Sequence, residues 1–204
     1  MCFSAGTSFG VGIVLTTTGV ATLKKANERS QFAFACIPLI FGIQQISEGF
    51  VWLSLQNPAF SEWQTVSTYI FLAFAQVVWP AWVPLSFLLL ERQKKPKSIL
   101  YGLTGIGLLV AGYLAYRLAT NVVTSHIVGM HIWYDLGIEG GVVRVLGILY
   151  FVATVVPPFF SSLNRMWLLG TFILASYIIT KLFFEEYVIS VWCFFAALIS
   201  VTVF

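Results

Sequence analysis

Apolar residues fall in long blocks divided by short polar breaks. A hydrocarbon core about 30 Å thick takes about 20 residues of helix, and seven blocks approach that length. They cover roughly 4–23, 31–56, 64–90, 98–119, 142–163, 166–183 and 187–204. Between the last two there is only Phe183-Phe-Glu-Glu-Tyr187, so that break rests on Glu185 and Glu186. The pattern predicts an all-α integral membrane protein, a bundle of about seven transmembrane helices forming a single domain over residues 1–204. One long connection, about 120–141, stands apart.

Composition agrees. Of 204 residues, 59% are hydrophobic and 9% charged, whereas a soluble domain carries about 25% charged residues. No basic tract interleaved with aromatics suggests nucleic acid as a partner. The lipid bilayer is the first partner implied. Nothing basic precedes the first block, so a cleaved signal peptide is not expected.

Basic residues set the orientation. Lys24, Lys25 and Arg29 follow the first block; Arg92, Lys94, Lys95 and Lys97 follow the third; Arg165 follows the fifth. These eight of the eleven Lys and Arg share one side. That side is expected to be cytoplasmic, with the N-terminus outside and the C-terminus inside.

The residue that breaks the apolar pattern most sharply is Glu48, inside Ile40-Phe-Gly-Ile-Gln-Gln-Ile-Ser-Glu-Gly-Phe-Val-Trp-Leu53. A charged group at mid-helix costs roughly 2.5–3.5 kcal/mol on insertion scales and generally faces a partner or a wet cavity. Gln45, Glu48 and Trp52 are spaced i, i+3, i+7 and share one helix face, with Gln44 beside them. Glu48 should lie about 12 Å below the outer end of its helix by the rise per residue.

Other features supply candidate partners. Ser4 can cap the first helix, and Gly6 and Gly10 form a GxxxG pair suited to close helix contact. Cys2 stands at that helix start, where a thiol tends to ionise more readily and can act as a ligand; a Cys2–Cys193 disulfide is the competing reading. Pro80 should free the carbonyl of Gln76, and Pro157 and Pro158 those of Ala153 and Thr154. Two kinked helices would open a cavity reached by Gln76, or else be the plain kinks common in helix bundles. In the long connection, Thr124-Ser-His-Ile-Val-Gly-Met-His-Ile-Trp-Tyr-Asp135 suits a short hairpin. A turn at Val128-Gly129 would set His126 opposite His131 on one face, half of a zinc or copper site. An interfacial loop with Trp133 and Tyr134 at the headgroups is the alternative. Lys181, near a helix end, reads as snorkelling rather than as a retinal lysine.

Met1-Cys-Phe-Ser-Ala5, Gln44-Gln-Ile-Ser-Glu-Gly-Phe-Val-Trp52 and Trp79-Pro-Ala-Trp-Val-Pro84 together resemble a family of uncharacterised bacterial integral membrane proteins with MCFSA-type N-termini. The resemblance spans most of the chain and implies a bacterial inner (plasma) membrane location. A more distant architectural likeness is to ceramidase-like membrane hydrolases, which use intramembrane histidines and an Asp around zinc. No predicted helix here contains a histidine.

The functional expectation is an outward-facing polar pocket around Glu48, with Gln45, Gln76 and Trp52 in its wall, binding a small ligand or a metal. In the metal version Cys2, Glu48, His126 and His131 are the ligands, zinc or copper the cofactor, and Glu48 the catalytic base or ligand of a metal-assisted hydrolase. The alternatives are a proton-coupled or small-molecule carrier, against which the missing internal repeat counts, and a structural or sensory subunit of a membrane complex.

Overall fold

The computed structural model describes residues 4–137 and 141–203. Among them lie seven helical segments and one β-hairpin. The first segment is α1 (Ala5–Lys25). The second joins α2 (Arg29–Ala35) to α3 (Ile37–Gln56). The third joins α4 (Trp63–Leu72), a π-helical turn (Ala73–Val78) and α5 (Trp79–Leu90). Then come α6 (Lys94–Thr120), the strands β1 (Thr124–Val128) and β2 (His131–Asp135), α7 (Gly141–Val155), α8 (Met166–Phe183) and α9 (Val188–Ser200).

Five segments are long and apolar enough to cross a membrane: Ala5–Lys25, Arg29–Gln56, Trp63–Leu90, Lys94–Thr120 and Met166–Phe183. The seven expected blocks are all helical, but α7 and α9 are short. Pro157 and Pro158 explain α7. They end the helix at Val155 and start a 3-10 turn, Pro157–Phe160, instead of kinking a helix that continues to 163.

Close packing of α1 on α3 builds one wall. Ser8, Gly12, Leu15, Gly19 and Thr22 form its buried stripe. A Cβ at Gly12 would stand 2.7 Å from the Ile46 side chain, and one at Gly19 would collide with Leu39. Gly6 and Gly10, the expected contact pair, are exposed and meet no neighbouring helix. The glycines that matter are seven apart, two helical turns, and so stay on the same face.

The third segment accommodates Pro80 by widening. In the π turn, Trp79 N–H donates to Phe74 O, an i→i+5 bond. The next carbonyl in that register, Ala75 O, would be owed a donor by Pro80, which has none. Tyr150 OH supplies it from α7 at 2.5 Å. The freed carbonyl is thus that of Ala75, one residue before the Gln76 expected from α-helical spacing.

The hairpin caps one end of the bundle. Gln64 Nε2 donates to Ser125 O (3.2 Å), Thr68 and Ser125 hydroxyls share a bond (2.9 Å), and Tyr69 OH donates to Asn121 O (3.1 Å). At the opposite end, Glu28 pairs with Arg92. Beside them Glu91 receives Ser162 from beyond α7.

Candidate ligand site

Glu48 sits on the buried face of α3 at 1% exposure. Ser190 Oγ, near the start of α9, donates to its Oε1 at 2.5 Å, and Gln45 Nε2 donates to its Oε2 at 3.2 Å. Gln45 and Glu48 are therefore joined as the spacing predicts. Next along α3, Gln44 Oε1 accepts from Trp79 Nε1 at 2.6 Å, and Trp79 stacks on Phe41 with centroids 3.8 Å apart. Trp52 is also buried, packed with Phe71, Ile132 and Tyr134.

The hairpin contributes Tyr134. Its side chain is on the buried face of β2, stacked on Phe71 at 4.9 Å. Burial first, with nearby Glu48 and Cys193 adding, pushes the phenol well above its usual pKa. Tyr134 is therefore a neutral hydrogen-bond donor at any physiological pH.

The cluster is under-satisfied. Among the described residues, Gln45 Oε1, Trp52 Nε1, Tyr134 OH and Trp192 Nε1 have no hydrogen-bond partner. Gln44 Nε2 makes no bond of normal geometry, although the Cys193 thiol lies beside its amide. All five residues are more than 90% buried. Buried polar side chains are bonded in the large majority of cases, so this many gaps need a reason.

A cleft of about 950 Å³ opens against this cluster between α6, α7, α8, α9 and β2. Tyr134, Tyr150, Trp192, Cys193 and Gln76 are in its wall, and Asp135, Arg144, Lys181 and Glu185 are among its lining charges. Glu48, Ser190 and Gln45 are not. Gln76 thus reaches a cavity as expected, but its contact is with the cleft rather than with Glu48. Lys181 is an exposed side chain paired to Glu185 at 2.5 Å.

The histidines go elsewhere. The turn is Gly129-Met130, so His126 pairs with Trp133 and His131 with Val128. Gly129 has φ +63°, and a two-residue hairpin turn needs positive φ at its first central position. The register is therefore one residue later than expected, and the imidazoles sit diagonally on one face. His126 is bonded to Thr124 Oγ1 (3.2 Å) and stacks on Trp133 (6.2 Å). His131 stacks on Tyr187 (4.8 Å) with Phe184 against its edge (5.2 Å), and burial pushes its pKa below the usual value. Both project from the hairpin face opposite Tyr134, so neither joins Glu48. Cys2 lies outside the described residues, and Cys193 is a free thiol. Among the described residues no three His, Cys, Asp or Glu side chains meet as a metal-holding group.

Sequence reasoning missed Ser190, Tyr134, Tyr150, Trp192 and Glu91. A signal existed for the first: Ser190, Cys193, Ala197 and Ser200 repeat at i, i+3, i+7, i+10, a small and polar stripe on an otherwise apolar helix, and all four are buried.

Comparison with known proteins finds no match among curated proteins or among solved structures. It does match the whole chain, residues 1–204, to one described family, so the MCFSA start, the Glu48 segment and the bundle built on them belong to a member of the family of unknown function DUF6629.

Proposed function

We propose that this is a multi-pass protein of the bacterial plasma membrane, with the hairpin end outside and the basic end cytoplasmic, and that its cleft holds a small ligand. Span length and the placement of Lys and Arg support the location. Tyr134 and Trp192 are the donors of the ligand site, and Glu48, with Gln45 and Ser190, positions the wall behind them. The observation that carries this reading is that two buried donors without partners among the described residues, Tyr134 OH and Trp192 Nε1, belong to side chains lining a cleft of about 950 Å³. Ligand cavities are commonly about 300–1,000 Å³, apolar with a few placed polar groups.

The orphaned hydroxyl gives a sharp test. Tyr134 OH has no hydrogen-bond partner among the described residues, so Tyr134→Phe breaks no hydrogen bond between them. Its melting temperature in detergent should equal or exceed that of the wild type, since removing an unsatisfied buried polar group is neutral or favourable. Retention of a co-purifying small molecule, read by native mass spectrometry, should fall by up to about tenfold if one hydrogen bond is lost. A clear drop in melting temperature with ligand retention unchanged would show that the hydroxyl serves the fold instead.

A further inference from the structure

A second cavity adjoins the cleft. Tyr150, Trp192 and Cys193 line both the cleft and this cavity of about 70 Å³. Ile37, Phe41, Phe87, Leu169, Ile173 and Ile199 wall that second space. The three hydroxyls there are already used: Thr154 Oγ1 donates to Tyr150 O (2.8 Å), Ser200 Oγ to Ala197 O (2.6 Å) and Tyr150 OH to Ala75 O (2.5 Å). The inner cavity therefore offers almost wholly apolar contact.

Two of the three lining helices, α7 and α8, carry a basic residue at the mouth and no charge toward the floor, and α9 is uncharged throughout. On α7 the lining runs Arg144, Tyr150, Thr154. On α8 it runs Lys181, Tyr177, Ile173, Leu169. On α9 it runs Val188, Trp192, Ala196, Ile199. Arg144 to Thr154 is ten residues, roughly 15 Å along the helix. The space is thus long, charged at one end and oily at the other.

Four charged side chains line the mouth, two of each sign. Lys181 is paired with Glu185. Asp135 Oδ1 accepts from Gly137 N–H at 2.9 Å. Arg144 is exposed and has no ion pair among the described residues. A guanidinium at the entrance of an apolar tunnel matches a carboxylate or phosphate.

We infer that the occupant is a single-chain amphiphile with an anionic head, its head on Arg144 and its chain passing Tyr150 and Trp192 into the inner cavity. This rests on the ligand-cleft reading above and names the ligand's class. A fatty acid and a lysophospholipid share this chemistry.

The test is native mass spectrometry of the purified full-length chain titrated separately with palmitate, lysophosphatidylglycerol and the uncharged hexadecanol. A single adduct is expected with palmitate or with lysophosphatidylglycerol, and which of them forms it identifies the source. Hexadecanol should bind about tenfold more weakly, as loss of one charge-assisted contact implies. Arg144→Gln should weaken the anionic ligand by a similar factor and leave hexadecanol unchanged. Ala196→Phe, which fills the inner cavity, should weaken all three. Equal binding of hexadecanol and the anions by the wild type, or no effect of Arg144→Gln, overturns the anionic head. Absence of any amphiphile adduct, with a polar compound still retained from the host, overturns the amphiphile class and leaves the cleft reading standing. Only a protein that retains nothing and binds nothing defeats both.

Discussion

Two carboxyl groups, Glu48 and Glu91, are equally hidden at 1% exposure each, and they are held in opposite ways. Glu91 ends α5. It accepts from the N–H groups of Arg92 (2.9 Å), Gln93 (2.8 Å) and Ser162 (2.6 Å), and from the hydroxyls of Ser162 (2.5 Å) and Ser161 (3.4 Å). Three of those donors are backbone, fixed by the chain itself. Glu48 sits in mid-helix with two side-chain donors, next to Gln45 Oε1 and Tyr134 OH, which have no hydrogen-bond partner among the described residues. A saturated carboxylate ties elements together, here α5 to the chain beyond α7. An undersaturated cluster marks where something else is accommodated. Burial alone does not separate the two; the tally of donors does.

The largest effect should come from breaking the saturated member. Glu91→Ala strands backbone and hydroxyl donors at a buried site, and a loss of about 3 kcal/mol is expected, since bonds to a charged group contribute roughly 1.5–3 kcal/mol each and are not additive. Thermal unfolding in detergent measures it, and a change within about 0.5 kcal/mol, the range of ordinary surface substitutions, would remove the tie.

Acid should reveal the same residue more gently. Burial acts to raise the Glu91 carboxyl, and the hydrogen bonds from Ser162, Gln93 and Arg92 outweigh it, so it lies below the ordinary carboxylate range. A depressed folded-state value means stability that is fully present above the unfolded carboxyl's value, about 4.3, and lost as pH falls through the folded value. The wild-type melting temperature should therefore decline below about pH 4. Glu91→Gln, lower at neutral pH, should lack that contribution to the decline. Parallel pH curves for the two proteins would assign the acid sensitivity to other groups.

The smallest effect sharpens the contrast. Ser162→Ala removes a donor to a saturated carboxylate, and Ser190→Ala one to Glu48. Ser162→Ala should cost roughly 1.5–3 kcal/mol, as for a hydrogen bond to a charged group. Ser190→Ala should cost about 1 kcal/mol or less, because its neighbourhood already tolerates unmet bonds. If the order is reversed in side-by-side melts, Glu48 belongs with Glu91 as a structural tie.

The sequence exposed one of these carboxyls and concealed the other, for a physical reason. Glu48 stands out because nothing else charged lies within its apolar block. Glu91 adjoins Arg92 at a block's end, where charge is ordinary, and its partners Ser161 and Ser162 are seventy residues away. The helical blocks were legible from hydropathy, yet Pro157 and Pro158 fit a kink as well as a stop. The hairpin was legible from its β-branched and aromatic residues, but turn placement depended on which residue takes positive φ. Gly129 could serve as the second or the first turn residue, and the structure takes the first. The cleft was least legible, because α6, α7, α8, α9 and β2 come together only in the folded chain. Gln76 and Lys181 were noted singly, without the wall that joins them.

The widened turn at Ala73–Val78 amounts to one residue too many in an otherwise continuous helix. Each residue advances a helix by about 100°, so the surplus sets the angular phase of everything after it. The phase observed brings Trp79 onto Gln44 and leaves Ala75 O for Tyr150. Winding the same residues as ordinary α-helix, with none removed, would leave composition and hydropathy unchanged while rotating α5 by more than a quarter turn against α4. Two of the polar links that join the third segment to its neighbours, to α3 through Gln44 and to α7 through Tyr150, thus depend on a count of residues that no hydropathy profile records.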